Sequence, residues 1–219
     1  MQMNLKVNKI MENIQQYDYD YLIKVSIIGD RGTGKTCLSE RIVNDQFMST
    51  YLPPTGLDFK TKFYSFETKK IRTCFWEICY SNRYCPTGIE VKGSSIILFI
   101  FDLTNSESFE SLKYYYNRFC QQFPLLPPIF CVGTKSDLPP TVSERQILKQ
   151  LKKMNYPPLY YCSSQTGSAC KDIESDIIKV LSNIIKLQYQ LSYRDDLPPS
   201  PSQHQPNPHS CSSKKCCLS

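Results

Sequence analysis

Long hydrophobic runs are missing from this 219-residue chain: no stretch approaches the about 18 consecutive apolar residues that a membrane-spanning helix requires. The opening MQMNLKVNKIMENIQQ lacks the apolar core of a signal peptide, so the chain is expected to be made and kept in the cytosol. Histidine is scarce, with His204 and His209 both close to the C-terminus, and no Cys-x-x-Cys unit occurs among the 11 cysteines. That spacing gives no reason to expect a zinc site, and reducing conditions keep such thiols open. Interleaved basic and aromatic residues are also wanting, so the net charge of +6 does not point to nucleic acid as a partner. Scattered as it is, the charge suits a weak preference for anionic membranes. What remains is an ordinary soluble composition, 41% hydrophobic and 21% charged, on a chain long enough for one compact domain and a tail.

The organisation follows from periodicity. Residues 1–20 are polar without a clear period and are expected to be a flexible N-terminal extension. From Tyr21 to Ile28, Ile23, Val25 and Ile27 alternate with Lys24 and Ser26, predicting a strand that runs into a glycine-rich turn, with a helix over Thr36–Asn44 after it. DFKTKFYSFE and KIRTCFWE, joined by Thr68 and Lys69, read as an antiparallel hairpin. Ile96–Phe101, Ile129–Val132 and Leu159–Tyr161 are unbroken apolar runs, expected of parallel strands covered on both faces. Between and after them, Phe109, Leu112, Tyr116, Phe119 and Phe123, then Ile173, Ile177, Leu181 and Ile184, recur at helical spacing. Strands alternating with helices predict a doubly wound α/β domain over 21–191, its sheet mostly parallel with one antiparallel hairpin strand. From Ser192 to Ser219 proline, serine, glutamine and asparagine dominate, predicting a disordered tail.

Gly29-Asp30-Arg31-Gly32-Thr33-Gly34-Lys35-Thr36 fits a phosphate-binding loop between a predicted strand and a predicted helix. Glycines let backbone N–H groups close around phosphates at a helix N-terminus, a lysine neutralises the β and γ groups, and the threonine hydroxyl binds Mg²⁺. The loop alone suits a nucleotide kinase equally well.

The residues that read the base decide between them. Thr134-Lys135-Ser136-Asp137, closing a predicted strand, resembles the NKxD guanine box of the Ras superfamily of small GTPases. The resemblance implies that Asp137 accepts from the guanine N1 and amino protons, an arrangement adenine cannot supply, while Lys135 lies along the base. Thr134 stands for the usual asparagine, which implies weaker bracing of the loops. Cys162-Ser163-Ser164-Gln165 falls where the family has its SAK loop. Phe47 falls where the family places an aromatic over the guanine, although a core aromatic ending the first helix fits its position as well. Asp102-Leu-Thr-Asn-Ser-Glu-Ser-Phe109 and Gly56-Leu-Asp58-Phe59 resemble the Rab branch, and Gln2 excludes the N-myristoyl glycine of Arf proteins. The resemblance covers about Tyr21 to Leu191. It implies a P-loop NTPase three-layer sandwich holding GTP or GDP with Mg²⁺. It further implies a monomer that meets Rab-type effectors, an exchange factor and escort or GDI proteins. The implied nucleotide contacts are Gly29 to Thr36 with Cys37, then Phe47, Thr55, Thr134, Lys135, Asp137, Ser163, Ser164 and Gln165. The implied metal set is Thr36, Thr55 and Glu77.

Departures from the pattern concentrate on the γ-phosphate side. The family's DTAGQ segment is Glu77-Ile78-Cys79-Tyr80-Ser81, with every position changed. Glu77 can still reach the metal's water shell, but Tyr80 replaces a glycine whose bare backbone approaches the phosphate. Ser81 is too short to orient water as the glutamine does. Pro54 occupies the place of the metal-binding threonine, with Thr55 one position late unless the loop slips. Arg31 stands where a small residue is usual, either obstructing hydrolysis or acting as a finger in cis.

Cys216-Cys217-Leu218-Ser219 ends the chain after Lys214 and Lys215. It reads as a Rab-like double-cysteine ending, prenylated on both, or as a CaaX box prenylated on Cys216. Either implies the cytoplasmic face of a membrane, with a cytosolic pool. The expected function is a membrane-anchored GTP/GDP switch of vesicle traffic whose hydrolysis is slow or partner-dependent, the alternative being a scaffold that never cycles.

Overall fold

The computed structural model describes residues 18–48, 58–80, 91–155 and 157–195, the side chains of 79–80 and 189–195 excepted. The chain divides into two compact units, Met1–Asn183 and Ile184–Ser219. In chain order the elements are β1 (Tyr21–Asp30), α1 (Lys35–Asn44), β2 (Asp58–Phe66), β3 (Lys69–Tyr80), β4 (Ile96–Asp102), α2 (Ser106–Gln122), β5 (Ile129–Thr134), α3 (Glu144–Lys153), β6 (Leu159–Tyr161) and α4 (Cys170–Asp195). The six strands form one sheet in the order β2-β3-β1-β4-β5-β6. Among the described residues only β2 pairs antiparallel, with β3; every other pair is parallel. The expected α/β class and its single antiparallel hairpin strand are therefore present.

Burial explains the apolar runs. All seven residues of β4 are buried, so helices must cover both faces of the sheet. One face packs Ile97, Phe99 and Phe101 against Phe109, Leu112, Tyr115 and Phe119 of α2 and Ile147 and Leu151 of α3. Tyr115 joins the helical stripe of α2 as a buried member, and Tyr116, partly buried, packs against the same core. On the other side α1 meets β1, β2 and β3, and Lys62 bridges α1 to α4 by donating to the Ile42 carbonyl at 2.6 Å while pairing with Glu174 at 2.5 Å. Buried Leu38, Ile42, Ile173 and Ile177 belong to these two helices.

Two local details refine the sequence reading. The hairpin turn is Glu67–Thr68, one residue earlier than Thr68–Lys69, because Lys69 already pairs with Phe66 and Glu67 takes the left-handed conformation (φ 53°) that closes a tight turn. β5 extends to Thr134, so the predicted guanine box starts on the sheet itself. β1 lies between β3 and β4, where the chain order reverses, and its C-terminal end is the crevice in which open α/β sheets bind ligands.

Candidate nucleotide-binding site

β1 delivers the chain to that crevice, and Arg31–Gly34 turn it into α1. Gly32 (φ 82°) and Gly34 (φ 86°) are left-handed, a conformation that costs glycine little. At Gly29 the requirement is space: a Cβ there would stand 2.3 Å from the Ile100 carbonyl oxygen. Gly34 caps α1 with no side-chain hydrogen bond, which leaves the first-turn N–H groups suited to an anion. Lys35, 6% exposed, folds its ammonium back over the loop and donates to the carbonyls of Gly29 (2.9 Å) and Asp30 (2.6 Å). The Asp30 carboxylate accepts from Ser111 Oγ at 2.6 Å and from the Tyr115 hydroxyl, tying the loop to α2. Thr33 Oγ1 closes the turn on the Asp30 carbonyl, whereas Arg31 is exposed.

The base-reading segment meets this loop directly. Thr134, buried at the end of β5, donates its hydroxyl toward the Thr33 carbonyl at 2.7 Å, with the Phe101 carbonyl at 3.0 Å. The Thr134 hydroxyl thus joins the two loops. Lys135 (φ 59°) donates to Asp102 Oδ2 at 2.6 Å, and Asp102 Oδ1 accepts from the backbone and hydroxyl of Thr104. Burial pushes the Asp102 carboxyl up, but Lys135 and the two Thr104 donors together hold it below the usual carboxylate range. The turn closes through Leu138 N–H to the Lys135 carbonyl, and Ser136 N–H reaches the Cys162 carbonyl, leaving Asp137 exposed.

Two adjoining clefts, about 230 and 160 Å³, share Gly34, Cys37 and Lys135. Gly32, Lys35 and Thr36 line the first; Phe47, Thr134, Asp137, Leu138, Ser164 and Gln165 line the second. Residues distant in sequence are therefore gathered on one continuous groove of the size that small-molecule sites occupy. Phe47 is 40% exposed and beyond the end of α1, so it lines the cleft and not the core. Ser163 does not line either cleft; it is buried, and its hydroxyl and carbonyl accept from the N–H groups of Thr166 and Gly167. Cys37 lines both clefts; burial and then Glu77 push its thiol up, opposed by Lys135 and Lys60. Thr55, Ser81, Cys216 and Cys217, with Pro54, lie outside the described residues. Tyr80 ends β3 in register with Asp30, so the strand continues to the edge of the phosphate loop.

Several contributors escaped the sequence reading. Arg41 donates from Nε to the Ser164 carbonyl at 2.9 Å and from an Nη to the Gln165 carbonyl at 3.2 Å, fastening the base loop to α1. Its position four residues after Cys37, on the same helical face, was the available signal. Asp102 as the anchor of Lys135 had no local signal, because 33 residues separate the two.

A parallel sheet whose central strand feeds a glycine cradle, beside a cleft ending in an exposed aspartate, defines a P-loop nucleotide-binding domain. A family model described as the Ras family matches residues 24–183, and the chain belongs to that family. It is 33% identical over 122 residues to GTP-binding protein YPTM2 of Zea mays, covering 55% of this chain and 60% of that protein. Ras-related protein Rab-13 of Mesocricetus auratus is 31% identical over 133 residues, covering 60% and 64%. Ras-related protein SEC4 of Candida albicans is 32% identical over 142 residues, covering 64% and 68%. The alignments with the first two span less than two thirds of those relatives.

Mg²⁺ is typical of this family, and the donor set tests whether it fits here. Glu77 is buried, its side chain 3% exposed. Its Oε2 accepts from Thr36 Oγ1 at 2.5 Å; its Oε1 accepts from Ser39 Oγ and from the Lys60 ammonium at 2.8 Å. An outer-shell ligand has to face the waters that Mg²⁺ retains; one oxygen of this carboxylate meets the cleft-lining Thr36 hydroxyl, and the other meets Ser39 and Lys60 in the interior. Thr36 and Glu77 thus fit a metal at the cleft: Thr36 would hold it and Glu77 would steady the hydroxyl that does so. The extra methylene of glutamate over aspartate carries the carboxylate to Ser39 and Lys60.

Proposed function

We propose that this chain is a guanine-nucleotide switch of Rab type, working in vesicle traffic on the cytoplasmic face of a membrane. The observation that carries the reading is the junction of the glycine cradle with the cleft of Lys135, Asp137, Ser164 and Gln165, braced through Thr134. The names of the relatives, a GTP-binding protein, a Rab and SEC4, agree with it.

In this reading the loop N–H groups and the Lys35 ammonium neutralise the phosphates, and Asp137 selects guanine by accepting from its N1 and amino protons. Hydrolysis is slow or partner-dependent. Phosphoryl transfer to water depends on positioning the nucleophile, and the sequence places Ser81 where a glutamine would do so. Effectors, an exchange factor and escort proteins are the expected partners. Exposed Phe59, stacked on half-buried Trp76 with ring centroids 5.0 Å apart, offers them an aromatic docking surface on the β2–β3 hairpin. Cys216 and Cys217 supply the prenyl anchor. The changes at Tyr80, Ser81 and Arg31 favour a second reading, a scaffold that holds nucleotide without cycling.

Identification of the nucleotide released on denaturing purified protein tests the proposal. GDP or GTP at stoichiometric amount is expected, and Asp137→Asn should shift preference toward xanthine nucleotides. Stoichiometric ATP or ADP would overturn it.

A further inference from the structure

Two buried thiols, Cys162 and Cys170, flank the turn that carries Ser164 and Gln165 into the base cleft. Cys162 follows β6, and its backbone holds the guanine-box segment: its N–H donates to the Gly133 carbonyl at 2.8 Å and its carbonyl accepts from the Ser136 N–H at 3.1 Å. Cys170 opens α4, and its Sγ donates to the Ser163 carbonyl at 3.6 Å, against the residue next to Cys162. Between them the chain doubles back. Ser163 N–H donates to the Ser168 carbonyl, Gly167 N–H donates to the Ser163 carbonyl, and Ala169 takes the left-handed conformation (φ 56°). Arg41 holds the carbonyls of Ser164 and Gln165 from outside the turn.

The two thiols are chemically unequal. A hydrogen bond with the Cys162 thiol, aided by the Arg41 guanidinium, holds the Cys170 thiol below its ordinary value against burial and Asp45. The same hydrogen bond, then burial, then the charges of Cys170 and Asp137, push the Cys162 thiol up. Cys170 also lines a cleft of about 120 Å³ with Arg41, Asp45 and Lys171, so a small reagent has a route to it. A thiolate is the reactive form of cysteine, and one with a second thiol beside it can pass its oxidation on as a disulfide.

We propose that Cys162 and Cys170 form a reversible disulfide on meeting a peroxide, and that closing it loosens the base-reading turn so that guanine nucleotide leaves faster. The second half rests on the nucleotide-binding reading above. The Cys170 thiolate attacks hydrogen peroxide and the O–O bond breaks. The departing hydroxide takes the proton that the thiol had released, leaving water and a sulfenic acid on Cys170. The Cys162 sulfur then attacks the Cys170 sulfur: the S–S bond forms, the S–O bond breaks, and hydroxide leaves with the Cys162 proton as a second water. The two thiols have together lost two electrons and two protons, and the peroxide has gained them. A dithiol reductant reverses the change by exchange. An S–S bond of about 2.05 Å is far shorter than a contact between thiols. Oxidation therefore draws the start of α4 toward the end of β6 and removes the Cys170 proton from the Ser163 carbonyl, and the turn that carries Ser164 and Gln165 has to shift.

Full-length protein treated with hydrogen peroxide, blocked with an alkylating reagent and digested with trypsin tests the bond directly. Residues 154–171, released at Lys153 and Lys171, contain Cys162 and Cys170 and no other cysteine. That peptide should be lighter by two hydrogens, escape alkylation, and recover both thiols in dithiothreitol. A fluorescent GDP analogue should leave the oxidised protein about fivefold faster or more, and at the original rate after reduction. Cys170→Ser, which keeps a donor for the Ser163 carbonyl, should release at the reduced rate with or without peroxide, separating this pair from Cys37 in the nucleotide cleft. Cys162→Ser should stop at a sulfenic acid on Cys170 that dimedone traps. Two alkylated thiols in the peptide after peroxide overturn the proposal, as does a mapped disulfide that leaves release unchanged, or equal acceleration of Cys170→Ser and wild type. If a variant does not fold, the wild-type peptide and release rates decide. Protein that forms the disulfide but holds guanine nucleotide in neither state would uphold the thiol pair and refute the nucleotide-binding reading.

Discussion

Thr134→Val isolates the contact that joins the two halves of the site. Valine keeps the β-branched shape and nearly the volume of threonine, so the end of β5 should pack as before. What disappears is a buried hydroxyl proton directed at the Thr33 carbonyl, 2.7 Å away, beside the Phe101 carbonyl at 3.0 Å. Removing the donor from a buried acceptor costs about 1–3 kcal/mol, and the apolar methyl group also sits against Gly34, whose Cβ position is 3.6 Å from Thr134 Oγ1. A loss of about 1–2 kcal/mol in unfolding free energy is expected from that one donor. Part of the loss also falls on binding, since nucleotide must then order a loop that Thr134 no longer braces. If that part is about 1 kcal/mol, GDP binds about fivefold more weakly. Urea unfolding measures the first quantity and fluorescence titration with a GDP analogue the second. Thr134→Ser is the control: it keeps the hydroxyl and gives up a methyl group, so it should lose about 1 kcal/mol of stability with affinity unchanged. Equal loss of affinity in both variants would show that packing, not the hydrogen bond, couples the loops. Unchanged affinity in both would refute the coupling.

Asp102 binds protons less readily when folded, so its contribution to stability is present above the unfolded carboxylate value near 3.9 and fades as pH falls through the lower folded value. Accordingly, the stability gap between wild type and Asp102→Asn, measured by thermal melts, should be constant at neutral pH and close below about pH 4; a gap that widens in acid would contradict the Lys135 pairing. Single-turnover hydrolysis on GTP-loaded protein should be slower than in an ordinary Rab, and Ser81→Gln combined with Tyr80→Gly and Arg31→Ser should raise it modestly. A wild-type rate equal to that of ordinary Rabs would remove both the slow-hydrolysis proposal and the scaffold alternative. Cys216→Ser with Cys217→Ser should leave the protein in the cytosolic fraction, because Lys214 and Lys215 contribute only about 2 kcal/mol of surface attraction; intact protein from cells with no added lipid mass on its C-terminal peptide would sink the anchor.

Much of this protein is local in the sense that sequence patterns are local. The apolar runs of β4 and β5 announce buried parallel strands because both of their faces are covered, and the glycine spacing between β1 and α1 announces a phosphate cradle because few other uses need that backbone. Asp137 after Lys135 at the end of a strand resembles the family's guanine box, and that resemblance carries the expectation of guanine. The stripe of α2 was legible except for Tyr115, since neighbouring positions on a helix differ by less than a third of a turn in facing and only packing shows that both tyrosines meet the core.

Contacts across long sequence separations were not legible. Thr134 to Thr33, Lys135 to Asp102, Arg41 to the Ser164 carbonyl and Lys60 to Glu77 each depend on which strands adjoin and in what register, and no window of residues contains both partners. The same dependence gave Thr134 its place between the two loops and set Glu77 against Thr36, Ser39 and Lys60. By itself the sequence determined the class of fold and the cradle, since these rest on backbone conformation and residue type at fixed spacing. Only the tertiary structure decided what each polar side chain faces, because a hydroxyl or carboxylate acquires its role from the groups that the folded sheet places within about 3 Å of it.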